Sequence, residues 1–300
     1  MTVQITAIIP AAGQGQRWNR AFGTLKQLVP VDKGRQPLLV RTIQMLRDRG
    51  VGSVYVLTKD PEIEKAAAGS AEIFPPSADR YLSDTMFSSR SLWSEKTIVL
   101  LGDVYFSPFC IDSILRNGPE YCFWGVGHGS AVCRNNLRRP ELFACSFSGS
   151  IGSEVEKNLK INSLLAELRD KGRMFWRVFR RGWKVFGPFF RQNYSPKPSH
   201  WFRERGFGGN DFWRVYRCWQ RKQPVYAYQY GKLWGLYRLM GNVDPFGGPD
   251  YTWPQDQSGH FVQVEDQTQD IDSPEDFQRL CQLWNGTAQG TNRIEETLTG

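Results

Sequence analysis

The stretch VQITAIIPAAGQGQR, residues 3–17, decides the fold of this chain. Its first eight residues are mostly apolar or β-branched, which is typical of a buried strand, and a polar, glycine-rich turn follows directly. Glycines let backbone N–H groups approach a polyphosphate closely, and a guanidinium suits bidentate binding of phosphate oxygens. The stretch therefore predicts a nucleotide-binding loop that consists of Ala11, Ala12, Gly13, Gln14, Gly15, Gln16 and Arg17.

Two other phosphate-binding motifs do not fit this turn. A dinucleotide fingerprint needs a third glycine at position 18, which is Trp18, and an acid after the second strand. A P-loop needs Gly-Lys-Ser/Thr, which does not follow. Taken alone, the motif also fits a tight turn between a strand and a helix that binds nothing.

Strands and helices alternate as far as residue 101. Leu39, Ile43 and Leu46 recur at helical spacing between Pro37 and Gly50, which predicts a helix there. Strands are predicted at 53–58, 70–74 and 97–101, a short helix at 61–68, and a helix that Ser83 or Asp84 caps and that carries Met86, Phe87, Leu92 and Trp93. This order predicts an α/β fold with a Rossmann-like, mostly parallel sheet flanked by helices.

The alternation loosens in the second half of the chain. We expect strands at 121–127, 141–147 and 260–266, and helices at 153–170, 232–240 and 274–284. Residues 285–300 are polar and are predicted to be a flexible tail.

Charged residues appear where such a sheet would bind its ligand. Lys26 follows the first loop, and Asp103 ends the most apolar strand, at the edge where open α/β sheets bind ligands. Asp270 and Asp272 precede a helix start, and in an extended segment their side chains point to one side. Carboxylates from distant parts of the chain suit Mg²⁺, although each aspartate alone also fits a cap or a turn.

In this order the motifs resemble the nucleotidyltransferase superfamily of sugar-1-phosphate pyrophosphorylases and cytidylyltransferases. That family's pattern is A-A-G-x-G-x-R after a strand, then P-K, then G-D after a later strand, then a distal aspartate often followed by T-P-E-D. Here the matches are the loop 11–17, Lys26, Gly102 with Asp103, and the segment 272–276. Leu25 replaces the proline before the lysine, and Asp270 competes with Asp272 as the distal ligand.

The resemblance implies a GT-A-like nucleotidyltransferase fold and transfer of a nucleoside monophosphate from an NTP to a small phosphorylated acceptor, with release of pyrophosphate. It implies Mg²⁺ bound by Asp103 and Asp272, or Asp270, catalytic roles for Arg17 and Lys26, and base recognition near Ala11, Ala12 and residues 77–85, including Thr85. It also implies one domain over residues 1–284, with a nucleotide-binding part at 1–107, an acceptor-binding part with an insertion at 108–257, and a returning metal-ligand segment at 258–284.

The insertion carries the chain's excess of positive charge. The net charge is +8, yet residues 173–222 contain 13 Lys or Arg against two acids, so this segment alone carries +11. Arg173, Arg177 and Arg180, with Arg181, recur at helical spacing among aromatic residues, which predicts either a solvated helix or a binding site for the acceptor phosphate. The same composition also fits a nucleic-acid surface.

A second alternative is a glycosyltransferase that uses an NDP-sugar. Such enzymes usually carry D-x-D after the metal strand, whereas this chain has Gly102-Asp103-Val104-Tyr105, which disfavours that reading.

Composition and cysteine spacing exclude several other classes. The six cysteines form no C-x-x-C and have no histidine at ligand spacing, which disfavours zinc. Apolar runs are far shorter than the ~18 residues of a membrane span. Residues 1–10 lack the basic start of a signal peptide, so we expect a cytoplasmic protein.

Overall fold

The computed structural model describes residues 3–13, 18, 20–32, 36–116, 118–126, 141–164, 166–167, 170, 231–240 and 259–282. The chain divides into two compact units. The first comprises residues 1–80, 88–152 and 252–300, and the second comprises residues 81–87 and 153–251.

The strands of the described residues all belong to the first unit. In chain order they are β1 (Ile5–Pro10), β2 (Pro30–Val31), β3 (Gln36–Pro37), β4 (Ser53–Leu57), β5 (Glu72–Phe74), β6 (Lys96–Leu100), β7 (Val104–Tyr105), β8 (Tyr121–Val126), β9 (Glu141–Ser148), β10 (Phe261–Gln263) and β11 (Gln269–Asp270).

Seven of these strands form one sheet in the order β10-β8-β9-β6-β1-β4-β5. Neighbouring strands are parallel except at β9, which is antiparallel to β6 and to β8. Strand β1 lies between β4 and β6, and Ile8 pairs with Tyr55 on one side and with Val99 on the other. The chain therefore reverses its strand order at β1, which is the position where open α/β sheets bind ligands.

Both faces of the sheet are buried around β1. Ala7, Ile8 and Ile9 are consecutive and point alternately to the two faces, and none of them is exposed. A strand buried on both sides needs a continuous apolar run rather than an alternating one, which explains the residues of β1.

Helices of the first unit cover this sheet. They are α1 (Leu38–Asp48), α2 (Pro61–Ala67) and α4 (Pro108–Leu115), whereas α7 (274–282) buries Leu280 in a separate apolar cluster with Val31 and Tyr105. Helix α1 buries Leu39, Ile43 and Leu46 in the main core, as their spacing predicts. Asp60 and Ser107 cap α2 and α4, because their side chains accept hydrogen bonds from backbone N–H groups in the first turn.

The second unit contains α3 (Leu82–Ser88, its last residue in the first unit), α5 (152–164, from its second residue onward) and α6 (Leu233–Met240). A hydrogen bond of 2.8 Å between the hydroxyls of Ser83 and Ser163 joins α3 to α5. Asn162 is fully buried, accepts from the N–H of Gly231 at 2.8 Å and donates to the carbonyl of Lys232 at 2.9 Å. This amide thereby fixes the turn that leads into α6.

The structure confirms the fold class and corrects details of the sequence prediction. Helix α3 begins at Leu82, so neither Ser83 nor Asp84 caps it, and it ends at Ser88, before Leu92 and Trp93. After Ser88 the chain forms a 3-10 turn at Arg90–Leu92, and the Ser88 hydroxyl bonds with the backbone of Ala78.

The other predictions about the chain's organisation are only partly tested by the structure. The strand expected at 260–266 spans only Phe261–Gln263. The single domain over residues 1–284 remains a prediction. The insertion at 173–222 and the tail at 285–300 lie outside the described residues. Within those residues, no helix combines the length and apolar character that crossing a bilayer requires.

Gly125 provides a test of how β8 packs against β9. At this residue the register between the two strands shifts, and an added Cβ would lie 2.1 Å from the carbonyl oxygen of Glu141. We expect Gly125→Ala to lower the free energy of unfolding by about 3 kcal/mol, because the two strands must separate locally. Denaturant unfolding measures this change.

Gly52→Ala is the matched control, since a Cβ there meets nothing within 4 Å. Equal stability of Gly125→Ala and Gly52→Ala would contradict the tight approach of β9 to β8.

Candidate metal and nucleotide site

The carboxyl ends of β1 and β6 meet closely at Gly102. The N–H of Gly102 donates to the carbonyl of Pro10 at 3.2 Å, and a Cβ at Gly102 would lie 2.9 Å from that oxygen. A side chain is therefore excluded at position 102. Glycine here brings Asp103 next to Ala11, where the predicted nucleotide loop begins.

A ladder of two residue pairs brings the distal aspartates to Asp103. Strand β11 is antiparallel to β7, with Asp270 opposite Val104, and the N–H of Ile271 donates to the carbonyl of Asp103 at 3.1 Å. Carboxylate oxygens of Asp103, Asp270 and Asp272 lie within 4.8 Å of one another. We call these three residues the carboxylate cluster.

Hydrogen bonds on both sides of β11 fix its position. Ahead of it, the Ser107 N–H donates to the Thr268 hydroxyl at 2.9 Å, and the Ser107 hydroxyl donates to Asp266. After it, the N–H of Ser273 donates to the Asp276 carboxylate at 2.8 Å, which closes the first turn of α7. Asp270 and Asp272 are thus held between two anchored turns.

Lys26 lies against the carboxylate cluster. Its ammonium group forms an ion pair with Asp103 and lies 3.4 Å from Oδ1 of Asp272. The side chain is only 10% exposed. Burial alone lowers the pKa of Lys26, but the carboxylates of Asp103 and Asp270 outweigh it and raise that pKa above its ordinary value. Lys26 is therefore a permanent positive charge in this site.

Burial and neighbouring negative charges disfavour the ionised form of Asp270. Burial raises the pKa of its carboxyl well above the ordinary value, and the charges of Asp103 and Glu141 raise it further, while Lys26 opposes them. Its Oδ1 is buried and has no hydrogen-bond partner among the described residues. A buried carboxylate oxygen of this kind is destabilising unless a cation binds it.

These features fit a hard divalent cation. The three aspartates offer only oxygen ligands, which Mg²⁺ prefers, and a single lysine leaves the cluster with excess negative charge. The unpartnered Oδ1 of Asp270 is one ligand that such an ion would satisfy.

Comparison with known proteins agrees with this geometry. Residues 7–140 match the model of the MobA-like NTP transferase domain. The match covers somewhat less than half of the chain, and this part is similar to NTP transferase domains. The match agrees with the superfamily that the sequence motifs resemble, and it includes Lys26, Asp103 and β1 from Ala7 onward.

Solved structures of the same class show similarity over about half of the chain. A nucleotidyl transferase from Methanothermobacter is 21% identical, with a TM-score of 0.40 over 51% of this chain and 76% of that one. The CTP:phosphocholine cytidylyltransferase from Streptococcus pneumoniae is 14% identical, with a TM-score of 0.37 over 52% of this chain and 76% of that one. No curated protein matches the chain. Similarity at this level identifies no substrate.

The residues predicted for the NTP transferase site stand as follows in the structure. Lys26, Asp103, Asp270 and Asp272 lie together, with Gly102 directly before Asp103 and bonded to Pro10, the residue before Ala11. Ala11 is buried and donates to the carbonyl of Leu57 at 2.9 Å. Ala12 and Gly13 continue from it.

The other predicted residues are Thr85 and two groups that lie outside the described residues. Thr85 lies in α3, in the second unit, where its hydroxyl donates to the carbonyl of Tyr81 at 3.3 Å. The loop residues Gln14, Gly15, Gln16 and Arg17 lie outside the described residues, as do Arg173, Arg177, Arg180 and Arg181.

Sequence reasoning missed several residues that shape the site. Glu141 acts on Asp270 through its charge, although it precedes Asp270 by more than 120 positions. Ser107, Asp266 and Thr268 fix β11. Arg41 gave no clear signal either, because α1 also carries Arg47 and Asp48, and spacing alone does not show which charged side chain is buried.

We predict that Lys26 competes with a divalent cation for the cluster. In the absence of nucleotide, Lys26→Met should bind Mn²⁺ about tenfold more tightly than the unaltered protein, or about 1.4 kcal/mol, because it removes the internal counterion. Isothermal titration with Mn²⁺ measures this affinity.

Lys59→Met is the control, since Lys59 pairs with Asp79 at an exposed position. Weaker Mn²⁺ binding by Lys26→Met than by Lys59→Met would show that Lys26 does not compete with the ion.

We also predict that Asp270→Asn stabilises the metal-free protein at neutral pH. Because the folded-state pKa of Asp270 is raised, its contribution to stability is present below the unfolded-state pKa and is lost as the pH rises through the folded-state pKa. Asparagine removes this loss, so the melting temperature of Asp270→Asn should exceed that of the unaltered protein at pH 7, with a smaller difference at pH 4.

Thermal scans at both pH values in a chelator test this expectation. Asp79→Asn, which changes an exposed ion pair, should leave the melting temperature nearly unaltered. A lower melting temperature of Asp270→Asn at pH 7 would contradict the prediction that the ionised Asp270 carboxylate destabilises the folded, metal-free protein.

Proposed function

We propose that this protein is a metal-dependent nucleotidyltransferase that transfers a nucleoside monophosphate from an NTP to the phosphate of a small acceptor and releases pyrophosphate. The observation that supports this most directly is the meeting of Lys26 with the carboxylate cluster at the ligand-binding edge of an NTP transferase domain. Both features suit a triphosphate with its divalent cation.

In this proposal the loop 11–17 binds the triphosphate through backbone N–H groups and the Arg17 guanidinium. The tight contact of Gly102 with Pro10 supports it, because it brings the start of the loop beside Asp103. Residues 77–85, including Thr85, contribute to recognition of the base.

Asp103 and Asp272, with Asp270 beside them, are the residues that would bind Mg²⁺. When bound, the ion neutralises negative charge on the triphosphate and on the leaving pyrophosphate. The fit rests on the all-oxygen ligand set and on the unpartnered Oδ1 of Asp270.

A phosphate oxygen of the acceptor attacks the α-phosphorus in line. A new P–O bond forms as the bond between the α-phosphorus and the oxygen that bridges to the β-phosphate breaks, and pyrophosphate leaves with that electron pair. The attacking phosphate is already ionised near neutral pH, so the step requires no general base. Catalysis is then mainly positioning and charge stabilisation.

Lys26 changes partner in this scheme. Without substrate its ammonium group neutralises the cluster. With Asp103 and Asp272 holding a cation, Lys26 would be free to contact the α-phosphate, where its charge would stabilise the transition state. Its permanent positive charge suits both tasks.

The acceptor is the least defined part of the proposal. Arg173, Arg177 and Arg180 are proposed to bind its phosphate on the strength of their spacing and of the +11 charge of their segment. A pyrophosphate-release screen of the four NTPs against sugar, alditol, aminoalkyl and choline phosphates tests the function. No release with any pair, in a protein that binds Mn²⁺, would contradict a small phosphorylated acceptor of these classes.

With the substrates from that screen, Asp103→Asn and Asp272→Asn should each lower kcat by on the order of 100-fold or more, because each loses a negatively charged ligand. Melting temperature and Mn²⁺ titration show whether each variant is folded and has lost the ion.

Asp112→Asn is the control, since Asp112 is exposed and pairs with Arg49. Full activity of Asp272→Asn together with loss in Asp270→Asn would assign the distal ligand to Asp270, and full activity of both Asp103→Asn and Asp272→Asn would contradict the paired metal ligands.

A further inference from the structure

A buried arginine joins the segment that carries Lys26 to the strand that follows Asp103. Arg41 lies on α1 and is 7% exposed. Its Nε donates to Asp32, its Nη1 donates to the carbonyl of Phe106 at 2.6 Å, and its Nη2 donates to the Tyr105 hydroxyl at 3.1 Å. One guanidinium thus contacts three residues from two separate parts of the chain.

The network closes on itself. The Tyr105 hydroxyl donates to the other oxygen of Asp32 at 2.9 Å, and the Arg41 guanidinium stacks over the Tyr105 ring at 4.3 Å from its centre. Asp32 has a φ of 50°, in the left-handed region that residues with a side chain rarely adopt. A residue in that conformation persists where its surroundings require it.

Both ends of this bridge are close in sequence to the proposed site. Asp32 is six residues after Lys26, and the chain between them runs through Val29 and Val31 in a small apolar cluster. Tyr105 is two residues after Asp103 and pairs with Gln269, next to Asp270. Ile271, between the distal aspartates, is fully buried in the same apolar cluster.

Apolar packing alone does not fix the register of these segments. Contacts among Val29, Val31 and Ile271 are not directional, so they permit small sliding movements. A planar guanidinium with several N–H donors in fixed positions restricts such sliding, because its hydrogen bonds are directional. The ammonium group of Lys26 must reach carboxylates on the other segment, so the register matters.

We propose that Arg41 is a positioning residue of this site, which holds the Lys26 segment in register with the strand and ladder that carry the carboxylate cluster. The proposal rests on the proposed function for its catalytic meaning. Arg41 touches neither the cluster nor Lys26, so its effect passes through Asp32 on one side and through Tyr105 and Phe106 on the other.

Hydrogen exchange on the metal-free protein gives the first test. In Arg41→Met, amides of residues 24–31, 103–106 and 268–272 should exchange about tenfold faster than in the unaltered protein, because local opening no longer breaks the bridge. Arg47→Met is the matched control. Arg47 is on the same helix and also donates to backbone carbonyls, but to those of Ser70, Val51 and Gly52.

Exchange in those three segments that is equally fast in Arg41→Met and Arg47→Met would overturn the proposal. Should Arg41→Met fail to fold, Tyr105→Phe serves instead, since it removes one hydroxyl and keeps the ring below the guanidinium. Tyr105→Phe should accelerate amide exchange in the same segments by a smaller factor. No acceleration would contradict the proposed bridge.

Mn²⁺ binding gives the second test, with the electron paramagnetic resonance signal of the free ion as the readout. The background is Lys26→Met, in which no internal cation competes. Adding Arg41→Met should raise the Kd for Mn²⁺ about tenfold, because Tyr105 and Phe106 lose the contacts that hold the strand next to Asp103. Adding Arg47→Met should leave it unchanged.

Arg41→Lys distinguishes geometry from charge. One ammonium group cannot contact Asp32, Tyr105 and the Phe106 carbonyl as the guanidinium does, so the lysine variant should resemble Arg41→Met in both tests. If Arg41→Lys restored both the slow amide exchange and the Mn²⁺ affinity in full, the proposed role of the guanidinium would be wrong. Absence of Mn²⁺ binding in Lys26→Met itself would contradict the proposed function, while the exchange difference between the arginine variants would still decide the role of Arg41.

Discussion

The site depends on the ladder between β7 and β11, two residue pairs long. It joins Asp103 to a segment more than 160 positions away and sets three carboxylates within 4.8 Å of one another. So short a ladder is not stable alone. Ser107 and Thr268 on one side, and the Ser273 turn on the other, supply the hydrogen bonds that keep it in place.

Concentrated negative charge is the second constraint on this protein. Like charges in a partly buried place oppose folding, and the raised pKa of Asp270 is the expression of that opposition. Lys26 offsets part of this repulsion, but its own ammonium group must be buried to do so. The site thus concentrates charges that oppose folding and suit a cationic partner, as is common where function and stability conflict.

Much of the fold was predictable because it depends on local patterns. The apolar run of β1, the helical spacing of Leu39, Ile43 and Leu46, and the apolar strand before Gly102 each reveal their structure within a few residues. Asp103, Asp270 and Asp272 were identified as candidate ligands by their positions after a strand and before a helix, and the structure brings them together.

The remainder depends on contacts that no local pattern records. Strands β7 and β11 have two residues each, too few to show alternation. A lysine in a loop has no periodicity, so the contact of Lys26 with the cluster was not foreseen. Helix α3 ends at Ser88 and a 3-10 turn follows at Arg90–Leu92, a change of helix type that helical spacing does not reveal.

The distance in sequence between the ligands has a consequence for synthesis. A ribosome makes Lys26 and Asp103 long before Asp270, at roughly 5–20 residues per second. During that interval Asp103 is the only one of the three carboxylates that the chain offers to Lys26. The full cluster, and with it any affinity for a divalent ion, arises only after β11 has emerged and paired with β7.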